Sequence, residues 1–165
     1  MDEKKSISSI ARFIQSLEKL GPGEKAVLRR NAGSLISESN QAMRIFYKAL
    51  PFDIPKFQED VYFLVATFFP MAEGGGDGDL GASLVKAKWR GKNEKGIDRR
   101  FQNLLDADKA QLPFRLRQVI HLLKTNQVRV NWNQMLGDLL HWDHPDRYIQ
   151  KKWARSYYSI QNKKE

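Results

Sequence analysis

Apolar residues in this 165-residue chain recur every three to four positions within short segments that end at glycine or proline. This pattern constrains the fold most strongly, because it places apolar side chains on one side of a helix, whereas a half-buried strand needs strict alternation. The segment 61–69 is apolar nearly all round and rich in strand-forming residues, so it could also be a strand. No second convincing strand exists to pair with it, which favours a central buried helix.

The sequence therefore predicts an all-α fold with about eight or nine short helices, arranged as two packed small helical bundles. Pro113 suits the first turn of one helix, and Asn131 suits an N-cap with Gln134 three residues later. Asp143 or His144 would cap a last helix that begins at Pro145. The helices are expected at residues 6–20, 22–31, 40–50, 55–69, 80–89, 97–106, 112–124, 132–142 and 145–160.

A glycine-rich segment, residues 74–79, interrupts the helical pattern with four glycines and two aspartates. Such a composition is typical of a flexible loop that does not pack. We expect it to join an N-terminal helical unit, residues 1–73, to a C-terminal basic helical unit, residues 80–165. The two units could equally form one compact domain.

Positive charge is confined to the second half of the chain. Residues 1–85 carry a net charge of −1 and residues 86–165 a net charge of +10, and the second half also contains all four tryptophans. Lysine and arginine neutralise phosphates, and aromatic rings can stack on bases, so this half suits a nucleic acid. The alternative is an ordinary solvated surface, since most lysines and arginines are exposed.

Several helices in the second half present a cationic face. Arg147, Lys151 and Arg155 repeat every fourth residue on the last predicted helix, opposite Trp153. Trp132 and Trp153 fall on apolar stripes and are expected in the core, whereas Trp89 lies between two cations and could stack on a base. The predicted nucleic-acid-binding residues are Arg29, Arg30, Lys88, Arg90, Arg99, Arg100, Arg117, Lys124, Arg147, Lys151 and Arg155. The helix from residue 97 is expected to open with Arg99 and Arg100.

Catalytic and metal-binding motifs are weak. The chain has no cysteine, which removes disulfides, thiolate ligands and a cysteine nucleophile. Residues 76–81 match G-x-G-x-x-G but contain two aspartates and have no parallel sheet around them. A calcium loop starting at Asp77 would need glycine and glutamate where Ala82 and Lys88 stand. The cluster of His141, Asp143, His144 and Asp146 could bind a divalent metal, but helix capping explains it equally well. We expect no enzyme activity, no cofactor and no metal.

The order and spacing of several motifs make the chain resemble the CasB-type small subunit of the type I-E CRISPR surveillance complex, Cascade. The motifs extend over nearly the whole chain. Two departures are the glycine-rich segment and Asn131, where an acidic cap is expected. The matching motifs are GPGE (21–24), AVLRR (26–30), LGASL (80–84), DRRFQNLLDAD (98–108), LPFRLRQ (112–118), LLK (122–124), VNW (130–132), LLHWD (139–143) and KWARSYY (152–158).

The resemblance implies a non-catalytic protein present in more than one copy in the complex. Its basic surfaces would contact the guide RNA, the target DNA paired with it and the displaced DNA strand. Its other partners would be the backbone and large subunits of Cascade and a second copy of itself. Guide pairing reads the sequence in such complexes, so backbone contacts suffice for the protein.

A different class remains open, namely a basic helical protein–protein adaptor without direct nucleic-acid contact. The N-terminus lacks the apolar core of a signal peptide, and the longest apolar run is too short to span a bilayer. We therefore expect a cytoplasmic protein that does not associate with membranes.

Overall fold

The structure is a computed structural model that describes the backbone of residues 2–91 and 93–163 and the side chains of residues 9–91 and 93–159. The all-α prediction is confirmed, and the described residues form nine α-helices and three short 3-10 helices. The α-helices are α1 (Asp2–Glu18), α2 (Pro22–Arg30), α3 (Asn40–Ala49), α4 (Glu59–Phe68), α5 (Leu80–Arg90), α6 (Glu94–Leu105), α7 (Leu112–Thr125), α8 (Trp132–Leu139) and α9 (Tyr148–Lys163). The 3-10 helices are Ile36–Glu38, Lys56–Gln58 and Phe69–Met71.

Helix α4 lies at the centre of the molecule, as predicted. Its residues from Tyr62 to Phe68 are all buried. It is shorter than expected because its two ends are 3-10 turns, at Lys56–Gln58 and Phe69–Met71. Pro70 lacks the N–H that would continue the helical hydrogen bonds, so the chain tightens into the second of these turns.

One continuous apolar core joins the two halves of the chain. Helix α8 of the second half packs against α1 and α4 of the first, while α5 packs against α9 and α6 against α7. Gly81 allows the close approach of α5 to α9, because a Cβ at this position would collide with the carbonyl oxygen of Trp153. The division into a unit of residues 1–73 and a unit of residues 80–165 stays a prediction.

The glycine-rich segment is packed, contrary to the expectation of a free loop. Gly74 forms an isolated parallel bridge with Val130. The N–H of Val130 donates to the carbonyl of Glu73 at 2.8 Å, and the N–H of Gly76 donates to the carbonyl of Val130 at 3.2 Å. A Cβ on Gly76 would collide with the carbonyl of Arg129. Glycine at position 76 therefore serves a close backbone approach, not flexibility.

Four predicted helix starts are wrong: those of α4, described above, of α1, which begins at Asp2 instead of Ser6, and of α9 and α6. Helix α9 begins at Tyr148 instead of Pro145, because Arg147 has a left-handed φ of 52°. Neither Asp143 nor His144 therefore caps it. Helix α6 begins at Glu94 instead of residue 97, because the side chain of Asn93 caps it by accepting from the N–H of Gly96 at 3.0 Å.

The remaining helix ends follow the sequence more closely. Asn131 caps α8 as predicted, accepting from the N–H of Gln134 at 3.1 Å. Helix α8 ends at Leu139, three residues before the predicted Trp142. Among the described residues, no helix is both long and apolar enough to cross a membrane.

Candidate nucleic-acid interface

A cleft of about 1260 Å³ runs between α2, the 3-10 helix Phe69–Met71 and the chain that leaves α7. We call it the basic cleft. Its cations are Lys25, Arg29, Lys124 and Arg129. Its apolar lining consists of Leu20, Pro22, Phe69, Pro70, Met71, Ala72 and Val128.

The basic cleft brings together cations from both halves of the chain. Lys25 and Arg29 lie one helical turn apart on α2, and Arg29 is exposed in the last turn. Lys124 is exposed in the last turn of α7. Two residues predicted as separate parts of the binding set, Arg29 and Lys124, therefore face one cavity. Two of the four cations of the basic cleft therefore come from α2, which belongs to the half of the chain with a net negative charge.

Two carboxylates reduce the positive charge of the basic cleft. Glu18 and Glu73 also line it, so four cations face two acids. Arg129 pairs with Glu73 at 3.7 Å, with 65% and 82% of the two side chains exposed. An exposed pair of this kind contributes only about 0–1 kcal/mol, so a phosphate can displace Glu73 from Arg129. The cleft keeps a net positive charge.

We call the buried and half-buried apolar residues Leu20, Phe69, Met71 and Val128 of this lining the apolar floor, and Trp132 packs against its Phe69. The indole Nε1 donates to the carbonyl of Ala72 at 3.2 Å, and the ring lies 5.6 Å from the ring of Phe69, centroid to centroid. Phe69, Met71 and Leu20 are half-buried, so part of each side chain remains accessible. The floor is thus built on the core instead of on a loose loop.

Arg90 lies beside the basic cleft, at the end of α7. Its Nη1 donates to the carbonyls of Gln127 at 2.7 Å and Asn126 at 3.3 Å. These carbonyls follow the helix C-terminus, where a cation is favourable. Arg90 is nevertheless exposed, and Gln127 itself lines the cleft. Arg90 both secures the helix end and adds charge near the cavity.

Lys88 differs from the other predicted cations because it is turned inward. Its Nζ lies 2.9 Å from Oδ1 of Asp98 and 5.4 Å from the ring centre of Tyr157, and only 11% of its side chain is exposed. Asp98 also accepts from the hydroxyl of Tyr157. Lys88 therefore joins α5 to α6 and α9, and we leave it out of the proposed binding surface.

The same cluster shifts two pKa values. Burial acts to raise the pKa of Asp98, but the hydrogen bonds from Tyr157 and Lys88 outweigh it and hold the pKa below its ordinary value. Burial, followed by the hydrogen bond to Asp98, raises the pKa of Tyr157 well above its ordinary value. At neutral pH Asp98 is thus ionised and Tyr157 neutral, as their hydrogen bond requires.

The other predicted cations lie outside the basic cleft. Arg147 precedes α9 and donates from its guanidinium to the carbonyl of Leu105, so it is not part of the α9 face as expected. Arg99 and Arg100 lie in the middle of α6 instead of opening it; Arg99 is exposed and Arg100 half-buried. Exposed side chains are found at Arg30, Arg117, Lys151 and Arg155.

The tryptophans are placed as the sequence predicted. Trp132 and Trp153 are buried, with 3% and 0% exposed, and Trp89 is 39% exposed in the last turn of α5. Trp142, for which the sequence predicts neither burial nor exposure, is also buried and packs against Trp153 at 5.1 Å between ring centres.

Sequence reasoning missed Lys25 and Arg129. Lys25 could have been found from its spacing of four residues to Arg29 on a predicted helix. Arg129 offered no such signal, because it lies outside the predicted helices and its position depends on backbone pairing with the glycine-rich segment.

The two histidines of the cluster make ring and backbone contacts near the start of α9. The rings of His141 and His144 stand 6.1 and 5.0 Å from the ring of Tyr148, and Nδ1 of His144 accepts from the N–H of Asp146 at 3.1 Å. Within the part of the chain with described side chains, no three histidines or carboxylates are grouped to hold a metal ion.

Residues 24–158 match the family of CRISPR-associated protein Cse2. The Cse2 protein of Thermus thermophilus is 34% identical over 102 residues, which are 61% of this chain and 57% of that protein. The alignment thus spans less than two thirds of that relative.

Solved structures share the fold. CasB of M. ruber is 27% identical with a TM-score of 0.77, covering 92% of this chain and 93% of that one. CasB of Thermus thermophilus, also 27% identical, has a TM-score of 0.75 and covers 91% and 97%. A chain of a CRISPR RNA-guided surveillance complex has a TM-score of 0.78 at 20% identity and covers 96% and 99%, which shows a common fold.

Proposed function

Because the chain belongs to the family of CRISPR-associated protein Cse2, we propose that it is a non-catalytic small subunit of a type I-E Cascade complex. In that complex it binds the guide RNA–target DNA hybrid and the displaced DNA strand through sequence-independent backbone contacts. The observation that carries this proposal is the basic cleft, in which four cations from both halves of the chain face one cavity.

Phosphate binding is the chemistry that suits these side chains. Arginine and lysine neutralise phosphates on any sequence, whereas base reading requires side chains directed at base edges in a groove. The cations of the basic cleft come from α2, from the last turn of α7 and from the chain that follows α7, so they do not belong to one helix. Guide pairing supplies the sequence specificity, so the protein needs only to stabilise the opened duplex.

Exposed aromatic and aliphatic side chains support contacts with other subunits. Phe52 is 96% exposed, Phe57 79%, Phe114 62% and Leu35 61%. Single exposed apolar residues are common on protein surfaces, but side chains as exposed as Phe52 and Phe57 are available to contact another subunit. We assign them to the backbone and large subunits of the complex and to a second copy of the chain.

The same side chains favour the second candidate function, a basic protein–protein adaptor. In that case Phe52 and Phe57 would dock a partner, and the cations would only complement its acidic surface. The two functions differ in whether the purified chain has an affinity of its own for nucleic acid.

A titration of the full chain against single-stranded and duplex DNA at rising salt tests the proposal. If six to eight phosphates are neutralised, log K against log salt has a slope of roughly −5 to −7 on duplex DNA. Binding should be similar for unrelated sequences. No binding even at low salt would favour the adaptor, and a strong preference for one sequence would contradict backbone recognition.

A further inference from the structure

We propose that the basic cleft accepts one unpaired nucleotide of a single strand, with the base on the apolar floor and the flanking phosphates on the cationic rim. This inference rests on the proposed function and adds to its backbone contacts a contact with one base. The cleft would then prefer single-stranded segments, such as a displaced strand, to the flat backbone of a duplex.

The apolar floor is the first reason. A site that binds only phosphates needs no apolar surface. This cavity, in contrast, is lined by Leu20, Phe69, Met71 and Val128 in addition to its cations. Phe69 and Met71 are half-buried, so an apolar face remains accessible between the cations. Aromatic and apolar platforms inside a positive groove are characteristic of single-strand binding, because every base has an apolar face.

The arrangement of charge is the second reason. Lys25 and Arg29 stand on α2, whereas Lys124 and Arg129 stand on the chain at and after the end of α7. Cations on two elements can hold the phosphates on both sides of one base. Glu18 and Glu73 line the same cavity and limit the negative charge it can take.

The size of the cavity is compatible with this occupant. Its volume of about 1260 Å³ exceeds the roughly 300–1,000 Å³ of typical small-molecule pockets. A nucleotide with its two flanking phosphates is larger than a compact ligand and continues out of the cavity in both directions.

The floor is also preorganised. Trp132 supports the ring of Phe69 and fixes the carbonyl of Ala72, and the bridge between Gly74 and Val130 fixes the adjoining wall. A site held by core residues loses little conformational freedom on binding. Phe69 is therefore the residue whose removal should affect bases and not phosphates.

The experiment compares a short oligothymidylate with an abasic deoxyribose-phosphate strand of equal length, using the full chain. The base-containing strand should bind about fivefold to a hundredfold more tightly, the range that stacking of one base provides. Phe69→Ala should remove most of this advantage and leave the affinity for the abasic strand unchanged. Tyr47→Ala is the control, a partly exposed aromatic residue on α3 outside the basic cleft, and should change neither affinity.

Phe69→Leu guards against loss of folding, because it keeps an apolar side chain against Trp132 and removes only the aromatic face. Phe69→Leu should reduce part of the affinity difference between the base-containing and abasic strands and should leave the melting temperature unchanged. Equal binding of both strands by the wild type would overturn the inference and leave the proposed function standing. Failure of both strands to bind at low salt would overturn the proposed function as well.

Discussion

Lys88 and Lys124 occupy comparable places, each near the end of a helix in the basic half, yet they do different things. Lys88 is almost enclosed and pairs with Asp98 beside the ring of Tyr157. Lys124 is exposed and faces the basic cleft together with Arg29. The first lysine is part of the packing between α5, α6 and α9, whereas the second is available to a ligand.

The difference shows that a charge excess overstates the binding surface. Arg147 also donates a hydrogen bond within the protein, to the carbonyl of Leu105. Arg90 donates to the carbonyl of Gln127 after the end of α7 and is otherwise exposed. The acidic half, in contrast, contributes Lys25 and Arg29 to the basic cleft. Tertiary partners, not the net charge of a segment, decide which cations can bind.

The largest expected effect concerns the packed region. Trp153→Ala should lower the free energy of unfolding by about 3–5 kcal/mol, because the indole is fully buried against Trp142 and donates to Asp138 at 2.7 Å. Denaturant unfolding measures this. Trp89→Ala, the same change at a partly exposed site, should cost clearly less. Equal losses in the two variants would contradict the burial of Trp153 in the core.

The next effect concerns the basic cleft. Arg29→Ala combined with Lys124→Ala should weaken nucleic-acid binding by about 1–3 kcal/mol with little change in stability, because two exposed cations are lost from one site. The control is Lys56→Ala with Lys109→Ala, which removes two exposed cations, one from each half, outside the cleft. An equal loss of affinity in the control would show that binding depends only on total charge.

A smaller effect is expected for Lys88→Met. It should reduce stability by about 1–2 kcal/mol, because Asp98 loses a charged hydrogen bond in a partly enclosed site. Nucleic-acid affinity should stay close to that of Lys86→Met on the same helix, which also removes one positive charge. A selective loss of affinity in Lys88→Met, without loss of stability, would return Lys88 to the binding surface.

The smallest effect is a pH dependence of the same cluster. The pKa of Asp98 is lowered in the folded state, so its ionised form favours folding above the ordinary carboxyl value of 3.8. That contribution is lost as the pH falls below 3.8 through the lower folded-state pKa. The stability difference between wild type and Asp98→Asn, measured by urea unfolding, should therefore shrink at acid pH. A difference that stays constant into this range would contradict the assignment.

Much of the fold could be predicted because local signals coincide with the helix ends. Pro22 and Pro113 open α2 and α7, and Pro51 follows α3. The start of α9 could not be predicted, because Arg147 adopts a left-handed φ while its guanidinium bonds to Leu105 on another helix. That hydrogen bond joins residues far apart in the sequence, so the spacing of apolar residues does not indicate it.

The site could be predicted only as a set of residue types. Arg29 and Lys124 stand out as cations on helices, but their convergence depends on how α2 and α7 pack around the turn at Phe69. Lys88 has the same local pattern as a binding residue, and only the positions of Asp98 and Tyr157 distinguish it. The sequence shows which residues are cations, whereas the tertiary contacts decide which of these cations are exposed to a ligand.

The position of one wall of the basic cleft depends on Gly76, a residue without charge. Its backbone lies so close to Arg129 that any side chain there must push the neighbouring segment away. The displaced segment carries Arg129 and adjoins Val128, so one wall of the cavity would move while the helices stay in place. Substitution of Gly76, which is uncharged and does not line the cavity, would then have the same effect as the loss of Arg129. Mutagenesis limited to basic residues would not detect this effect.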